Sequence, residues 1–570
     1  MNRRTIIPMF SLLLASLSLA ACATPQAAPA SAPASGGAVD MNKPPKVDKI
    51  AFGITALQVE SNKPHIACCT NQLQWQPMYD SLIGVTPEGK ELQPQLATEW
   101  TLDADGRSFR FKLRPNIPFH NNFGNVTSAD VLYTWETQRD ETDPTMSPQP
   151  ANVTRQDIKG IEVINDAEFI LRAAAPNSGL LAAISQAEGI FPIRSKADGT
   201  ARPAPPTMAD KPIAGTGPYQ FVSRAQSQNL KFERMPGTHW RKTADAKEFE
   251  FRFFKEASTM TAALLAKEIQ LAGLPPDLVG QAEKTGARLI AGKGLGLHTF
   301  VSFYGVWINK RILASETLNA DESATFVYPK SPLMYVRVRK ALNKAINRDA
   351  LNKAFLSGKG DPIYNEYFHP TRPGWNPAWE TRFKDAYGYD VEAAKKLLAE
   401  AGYGPSNPAT VTVQLRQYGY FPAVTDMNEA IAGYWRAIGI DVKMEQADAA
   451  TFTARSRALA YDSHAFIVPT SIRQWLGVGI YNSMLAGNRG GVQLPEIDST
   501  YGEIKATLDQ KKYEELWKKL GDVTYDQYTS APLFWVPSEV AVDPALIAGY
   551  DFPGSISSTY THVEYITLAR

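Results

Sequence analysis

The stretch Asp103-Ala104-Asp105-Gly106-Arg107-Ser108-Phe109-Arg110-Phe111-Lys112-Leu113 opens on a turn signal and runs straight into apolar residues that alternate with period two. It predicts a hairpin with one face in a core. Shortly afterwards Thr127 and Asp130 have the spacing of a capping box and open a helix through Val131, Leu132 and Trp135. Much further on, Asp390 is placed to cap a helix whose Val391, Ala394, Leu397, Leu398 and Ala401 share one face, with Gly402 positioned to end it. Strand and helix signals alternate along the chain, so the expected fold class is mixed α/β. Pro203, Pro205 and Pro206 mark a loop or lobe boundary, and no internal repeat is visible.

Composition bounds the rest. With 570 residues, 44% hydrophobic, 21% charged and 10% aromatic, the chain can bury a sizeable core in several lobes, which excludes disorder, collagen and a small disulfide scaffold. Lys and Arg number 59 against 58 Asp and Glu, so no global field draws in nucleic acid, and no nucleic-acid partner is expected. Binding must come from a shaped site.

Arg3 and Arg4 precede an apolar stretch from Ile6 to Ala20 that is broken by Pro8 and too short to span a bilayer comfortably. It reads as an export signal over residues 1–21. Leu19-Ala20-Ala21-Cys22 resembles the lipobox of bacterial lipoproteins, which makes Cys22 the expected lipidated residue; an ordinary signal peptide is the alternative. Residues 23–37 hold only small residues, Pro, Thr and Gln, with no charge, so residues 22–45 read as a lipidated Cys and a flexible linker. Such a tether reaches about 25 Å and holds a globule near a membrane.

Catalytic signatures are missing from the sequence. His65, His120, His239, His298, His369, His464 and His562 never form HExxH, and neither GxSxG nor GxxxxGK[ST] occurs. Gly292-Lys293-Gly294-Leu295-Gly296 lacks the spacing of a phosphate loop and reads as a turn. No enzyme activity, cofactor or resident metal is expected.

An ordered series of segments points elsewhere. Met78-Tyr79-Asp80-Ser81-Leu82-Ile83, Leu96-Ala97-Thr98-Glu99-Trp100, Phe109 to Arg114 and Ile117-Pro118-Phe119-His120 come first. Thr127-Ser128-Ala129-Asp130-Val131, Gly215-Thr216-Gly217-Pro218-Tyr219 and Val336-Arg337-Val338-Arg339-Lys340-Ala341-Leu342 follow, then Ala393 to Leu398 and Ile438-Gly439-Ile440-Asp441-Val442. In this order, from about residue 48 to the C-terminus, the chain resembles the family 5 extracytoplasmic solute-binding proteins of ABC importers, which bind peptides, nickel and oligosaccharides. The resemblance implies a two-lobe periplasmic-binding-protein fold with an extra N-terminal subdomain and a ligand cleft between the lobes. The lobes are expected as 46–82, 190–295 and 540–570 for lobe I, 83–189 for the extra subdomain and 296–539 for lobe II. It also implies a monomer on the extracytoplasmic face, held by Cys22, that hands a small molecule or oligopeptide to the transmembrane permease subunits. A secreted hydrolase or a structural envelope lipoprotein is the alternative. Arg337 and Arg339 are read as surface or inter-lobe charges, and the glycines of Gly215-Thr216-Gly217 as a bare turn before a strand.

Candidate ligand residues follow from departures within the resemblance. Peptide-binding members carry an aspartate near a Trp that accepts the peptide's α-ammonium. Here Tyr461-Asp462 is followed by Arg473-Gln474-Trp475 with no acid before Glu496. Arg473 in a closing cleft would favour a carboxylate or phosphate, unless it points to solvent. Cys68 and Cys69, beside Thr70 and Asn71, lie in the family's pocket-facing segment. Adjacent Cα atoms sit below the usual disulfide span, so both read as thiols. They either fill tight space near the cleft or, with His65, offer soft metal ligands. Tyr418, Tyr420 and Phe421 follow the strand expected from Val411 to Leu415 where the family lines its cleft, and Trp475 joins them as an aromatic face unless these rings belong to the core.

Overall fold

Three larger sheets carry the architecture in this computed structural model, which describes residues 40, 43–55, 60–62, 64, 72–86, 92–139, 153–201, 211–308, 326–416, 418, 421–471, 484–485, 490–554 and 560–570. A seven-stranded sheet has the order Arg288–Ala291, Glu539–Val542, Leu271–Ala272, Lys49–Thr55, Glu248–Phe254, Asn229–Arg234 and Tyr219–Ala225. Lys49–Thr55 runs parallel to Glu248–Phe254, and Glu539–Val542 returns from far along the chain to pair antiparallel with both of its neighbours. Its core is aromatic: Phe249 and Phe251 meet edge to face at 4.7 Å, beside Phe52 and Phe232.

A six-stranded sheet has the order Asp361–Pro362, Ser530–Val536, Leu297–Tyr304, His464–Ser471, Thr410–Leu415 and Asp441–Gln446. Leu297–Tyr304 is buried at every position, as befits a central strand covered on both faces. The helices Val336–Lys344, Val391–Glu400 and Val424–Ala437 supply Val338, Leu342, Leu398, Ile431 and Trp435 to the core on one of those faces.

The four-stranded sheet, Ala97–Leu102, Ser108–Leu113, Glu168–Ala173 and Ile158–Asn165, contains the expected hairpin. Its turn closes because the Asp105 carboxylate accepts from the N–H groups of Arg107 and Ser108, each at 2.8 Å, while Gly106 takes a φ of +67°. The helix Ser128–Gln138 starts where the capping pair placed it, with the Thr127 N–H donating to Asp130 Oδ2 at 2.8 Å. Asp390 likewise caps Val391–Glu400 through the Ala393 N–H at 2.9 Å.

One expectation fails. Arg337 is exposed, 3.8 Å from Glu400, but Arg339 is 1% exposed and not a surface charge. Its guanidinium donates to the carbonyls of Leu333, Met334, Gln527 and Tyr528. Gln527 caps the C-terminus of the helix Gln510–Asp526, so the cation satisfies carbonyls left open at a helix end. Burial lowers its pKa to about 10, which still leaves it charged at neutral pH.

The chain passes between the two largest sheets through residues 292–296 and again through 537–538. The two passes lie side by side, with the Gly292 N–H donating to Ser538 O at 2.8 Å. Gly296 has a φ of +78°, and a Cβ there would stand 2.0 Å from Val536 O, so only glycine fits this crossing. The expected turn at 292–296 is therefore a crossover between sheets.

Candidate ligand cleft

Thr410–Leu415 and His464–Ser471 run parallel, and Ser471 pairs with Leu297, which in turn pairs with Val536. The carboxyl ends of these parallel strands thus share one edge of the sheet with both crossovers. In open α/β sheets the crevice outside the carboxyl ends is where ligands lie, and segments 416–421 and 472–483 follow those ends.

Of the ligand residues expected from sequence, Tyr418 is placed at this edge. Its side chain is 5% exposed, part of the hydrophobic core of the six-stranded sheet, and burial raises its phenol pKa. Cys68, Cys69, Thr70, Asn71, Tyr420, Arg473 and Trp475, with His65, Cys22 and Pro203 to Pro206, lie outside the described residues. Arg416, which sequence reasoning passed over, stands directly after the strand with its guanidinium 4.8 Å from the Tyr418 ring and 4.5 Å from that of Phe452. Two aromatic faces hold this cation in place. Its signal in the sequence is slight: a basic residue at a strand's carboxyl end, two positions before an aromatic.

Beside the crossovers two buried titratable groups, His298 and Glu366, are held uncharged. His298 is fully buried, and its Nε2 accepts from the Tyr367 N–H at 3.1 Å. Burial, with help from Arg372, brings its pKa down to about 3, so the ring is neutral. Glu366 is 2% exposed, and burial pushes its carboxyl up to about 8, so it carries its proton at neutral pH. Arg372 is lowered to about 10 by burial, opposed by the charge of the fully buried Glu188. Glu188 belongs to the segment behind the helix Leu180–Ala183, so these two charges act between segments far apart in the chain. More long-range contacts link the residues around the four-stranded sheet to the helix Pro495–Ala506. The Ser178 N–H donates to Lys505 O at 3.2 Å, Ser178 Oγ donates to Ile504 O at 3.1 Å, and Lys505 Nζ stands 3.2 Å from Asp157.

Several segments that carry the family resemblance meet in a scaffold on the other side of the crossovers. Arg241 lies 2.9 Å from Asp80 and also pairs with Glu564; both carboxylates are fully buried as side chains. Burial works against the guanidinium charge, but the two acids outweigh it and raise its pKa. Thr216 Oγ1 donates to Asp80 Oδ2 at 2.9 Å, and the ring Nε2 of His239 and of His120 bond the carbonyls of Thr216 and Gly217, each at 2.8 Å. A Cβ at Gly215 or Gly217 would stand 2.1 Å from Met78 O or 2.3 Å from Pro77 O. The glycines are there because the turn packs backbone to backbone against the Tyr79-Asp80 segment.

Among the described residues no group of three His, Cys, Asp or Glu side chains could hold a metal ion, and no helix is long and apolar enough to cross a membrane. Behind the carboxyl ends the described residues place a cation, Arg416, against the rings of Tyr418 and Phe452.

Known proteins share this architecture. The chain is 23% identical over 496 residues to the dipeptide-binding protein of Escherichia coli (strain K12), covering 82% of this chain and 85% of that one. Among solved structures it resembles the ABC transporter-associated periplasmic binding protein DppA from Helicobacter pylori in complex with peptide STSA, with a TM-score of 0.73, 22% identity and coverage of 92% and 98% of the two chains. It also resembles AgaA from A. tumefacien R10 in complex with agropinic acid, with a TM-score of 0.69, 19% identity and coverage of 92% and 99%. The fold is the two-lobe one of periplasmic binding proteins. The family described as bacterial extracellular solute-binding proteins, family 5 Middle, matches residues 91–471, and the chain belongs to it.

Proposed function

We propose that this chain captures a small organic or peptide-like solute between two lobes and delivers it to the transmembrane subunits of an ABC importer. The observation that carries this reading is the shared edge of the two crossovers and the carboxyl ends of the parallel strands: bodies joined at one edge can rock about it and close on what lies in the crevice. Lobe I takes residues 46–82, 190–295 and 540–570, with 83–189 as its extra subdomain, and lobe II takes 296–539. Cys22 anchors the mature protein to the membrane by its lipid, with 23–45 as the leash, and the protein works as a monomer.

The solute carries a carboxylate or another anion. Arg473 and Arg416 supply cations on the lobe II side, and the stretch from Ser463 to Pro495 holds no acid to receive a free ammonium. Cys68, Cys69, Thr70 and Asn71 approach from lobe I, and Tyr418, Tyr420 and Trp475 supply aromatic contacts. Mass spectrometry of the protein purified from its native host tests this. The expected result is a copurifying anionic solute that raises the melting temperature of stripped protein and is recovered unchanged. Conversion of that solute to product at a catalytic rate would replace this reading with that of a hydrolase.

A further inference from the structure

A second cavity, of about 340 Å³, lies at the edge strand Asp361–Pro362, beside Gly294, Leu295 and Pro537 of the crossovers. It lies on the same crossover edge as the crevice described above, at the end away from Thr410–Leu415. Four inter-strand steps separate Asp361–Pro362 from Thr410–Leu415 in the six-stranded sheet, roughly 19 Å at the usual strand spacing.

The lining pairs aromatic faces with carboxylates. Tyr364, Phe368, Trp375 and Trp535 supply rings, and Asp361 and Glu380 supply acids. Tyr364 and Trp375 have centroids 6.4 Å apart, Trp375 is braced edge-on by Trp379 at 5.5 Å, and Trp535 meets His369 edge to face at 5.7 Å. No lysine or arginine lines the space, and neither carboxylate forms an ion pair with a described Lys or Arg. The lining histidine adds no competing charge, since burial and Arg372 bring the His369 pKa down to about 4. Glu380 acts on the Tyr364 hydroxyl, which brings one acid against one ring of the wall.

We infer that this cavity is an accessory site for an organic cation, a substituted ammonium held by the ring faces of Tyr364, Trp375 and Trp535 and balanced by Asp361 and Glu380. A ring face attracts a cation through its quadrupole, and the attraction grows where water is displaced. A neutral ligand of the same shape would use the same faces but gain nothing from the charge of the two acids.

The test titrates the full-length protein with choline, tetramethylammonium and the neutral isostere 3,3-dimethyl-1-butanol, followed by tryptophan fluorescence. The expected result is saturable quenching by both cations, with the neutral alcohol at least about tenfold weaker. The double variant Asp361→Asn with Glu380→Gln and the single variant Trp375→Leu should each weaken choline by about tenfold or more. Asp361 and Glu380 are both exposed, so the double variant retains the fold even if loss of Trp375 does not. Equal binding of choline and its neutral isostere, unchanged choline affinity in the double variant, or quenching by maltose in place of the cations would overturn the proposal.

Discussion

The molecule treats two sets of buried groups in opposite ways, the ion cluster around Arg241 and the pair His298 and Glu366. In the scaffold around Arg241, charge is met by charge: the fully buried carboxylates of Asp80 and Glu564 keep the guanidinium ionised. Next to the six-stranded sheet's cleft edge, His298 and Glu366 are buried without an opposite charge in contact, and burial drives each to its neutral form. The first arrangement locks one geometry, because any movement would strand an ion. The second holds groups that are neutral only because water is kept from them, so opening this side would change their protonation.

The largest effect should come from breaking the scaffold. Arg241→Ala leaves two buried carboxylates uncompensated and should cost about 3–5 kcal/mol in denaturant unfolding; a loss under 1 kcal/mol would mean that the charges there are not matched as described. Gly217→Ala comes next, since a Cβ 2.3 Å from Pro77 O forces the turn off the Tyr79-Asp80 segment. About 1–3 kcal/mol is expected, with solute affinity reduced only as far as folding is.

Ligand effects should be of similar or smaller size. Arg473→Ala should weaken an anionic solute by about 2 kcal/mol in calorimetry, and unchanged affinity would remove that residue from the site. On the neutral side, Glu366→Gln sharpens the comparison through pH. The folded pKa of about 8 lies above the ordinary 4.5, so the carboxyl's contribution to stability is fully present below 4.5 and is lost as pH rises toward 8. The variant should match the parent near pH 4.5 and exceed it by a few kcal/mol at most near pH 8; a melting difference that does not change with pH would argue against a protonated carboxyl. The smallest effect belongs to Lys505→Ala. Lys505 and Asp157 keep 34% and 21% of their side-chain surface exposed, so losing their pair should cost under about 1 kcal/mol and shift scattering slightly toward an open shape.

Local chemistry was legible in the sequence. The Asp105 turn, the Thr127 and Asp390 caps and the helix ends rest on hydrogen bonds within three residues, which spacing alone reveals. The order of the family segments was equally legible, and the structure explains part of it, since Tyr79-Asp80 and Gly215 to Tyr219 are packed together. Arg339 was misread because an arginine on a helix carries no mark of whether its neighbours will be water or the carbonyls ending another helix, 188 residues away in sequence. Arg416, Glu366 and the aromatic cavity escaped notice for the same reason.

The sequence by itself determined that this chain is an α/β protein of the family 5 solute-binding type, because turns, caps and segment order are written in neighbouring residues. Only the tertiary structure decided which charges survive burial and which are neutralised, and that the glycines at 292–296 form a crossover between sheets. Desolvation depends on which distant elements meet around a group, and no stretch of neighbouring residues contains that information.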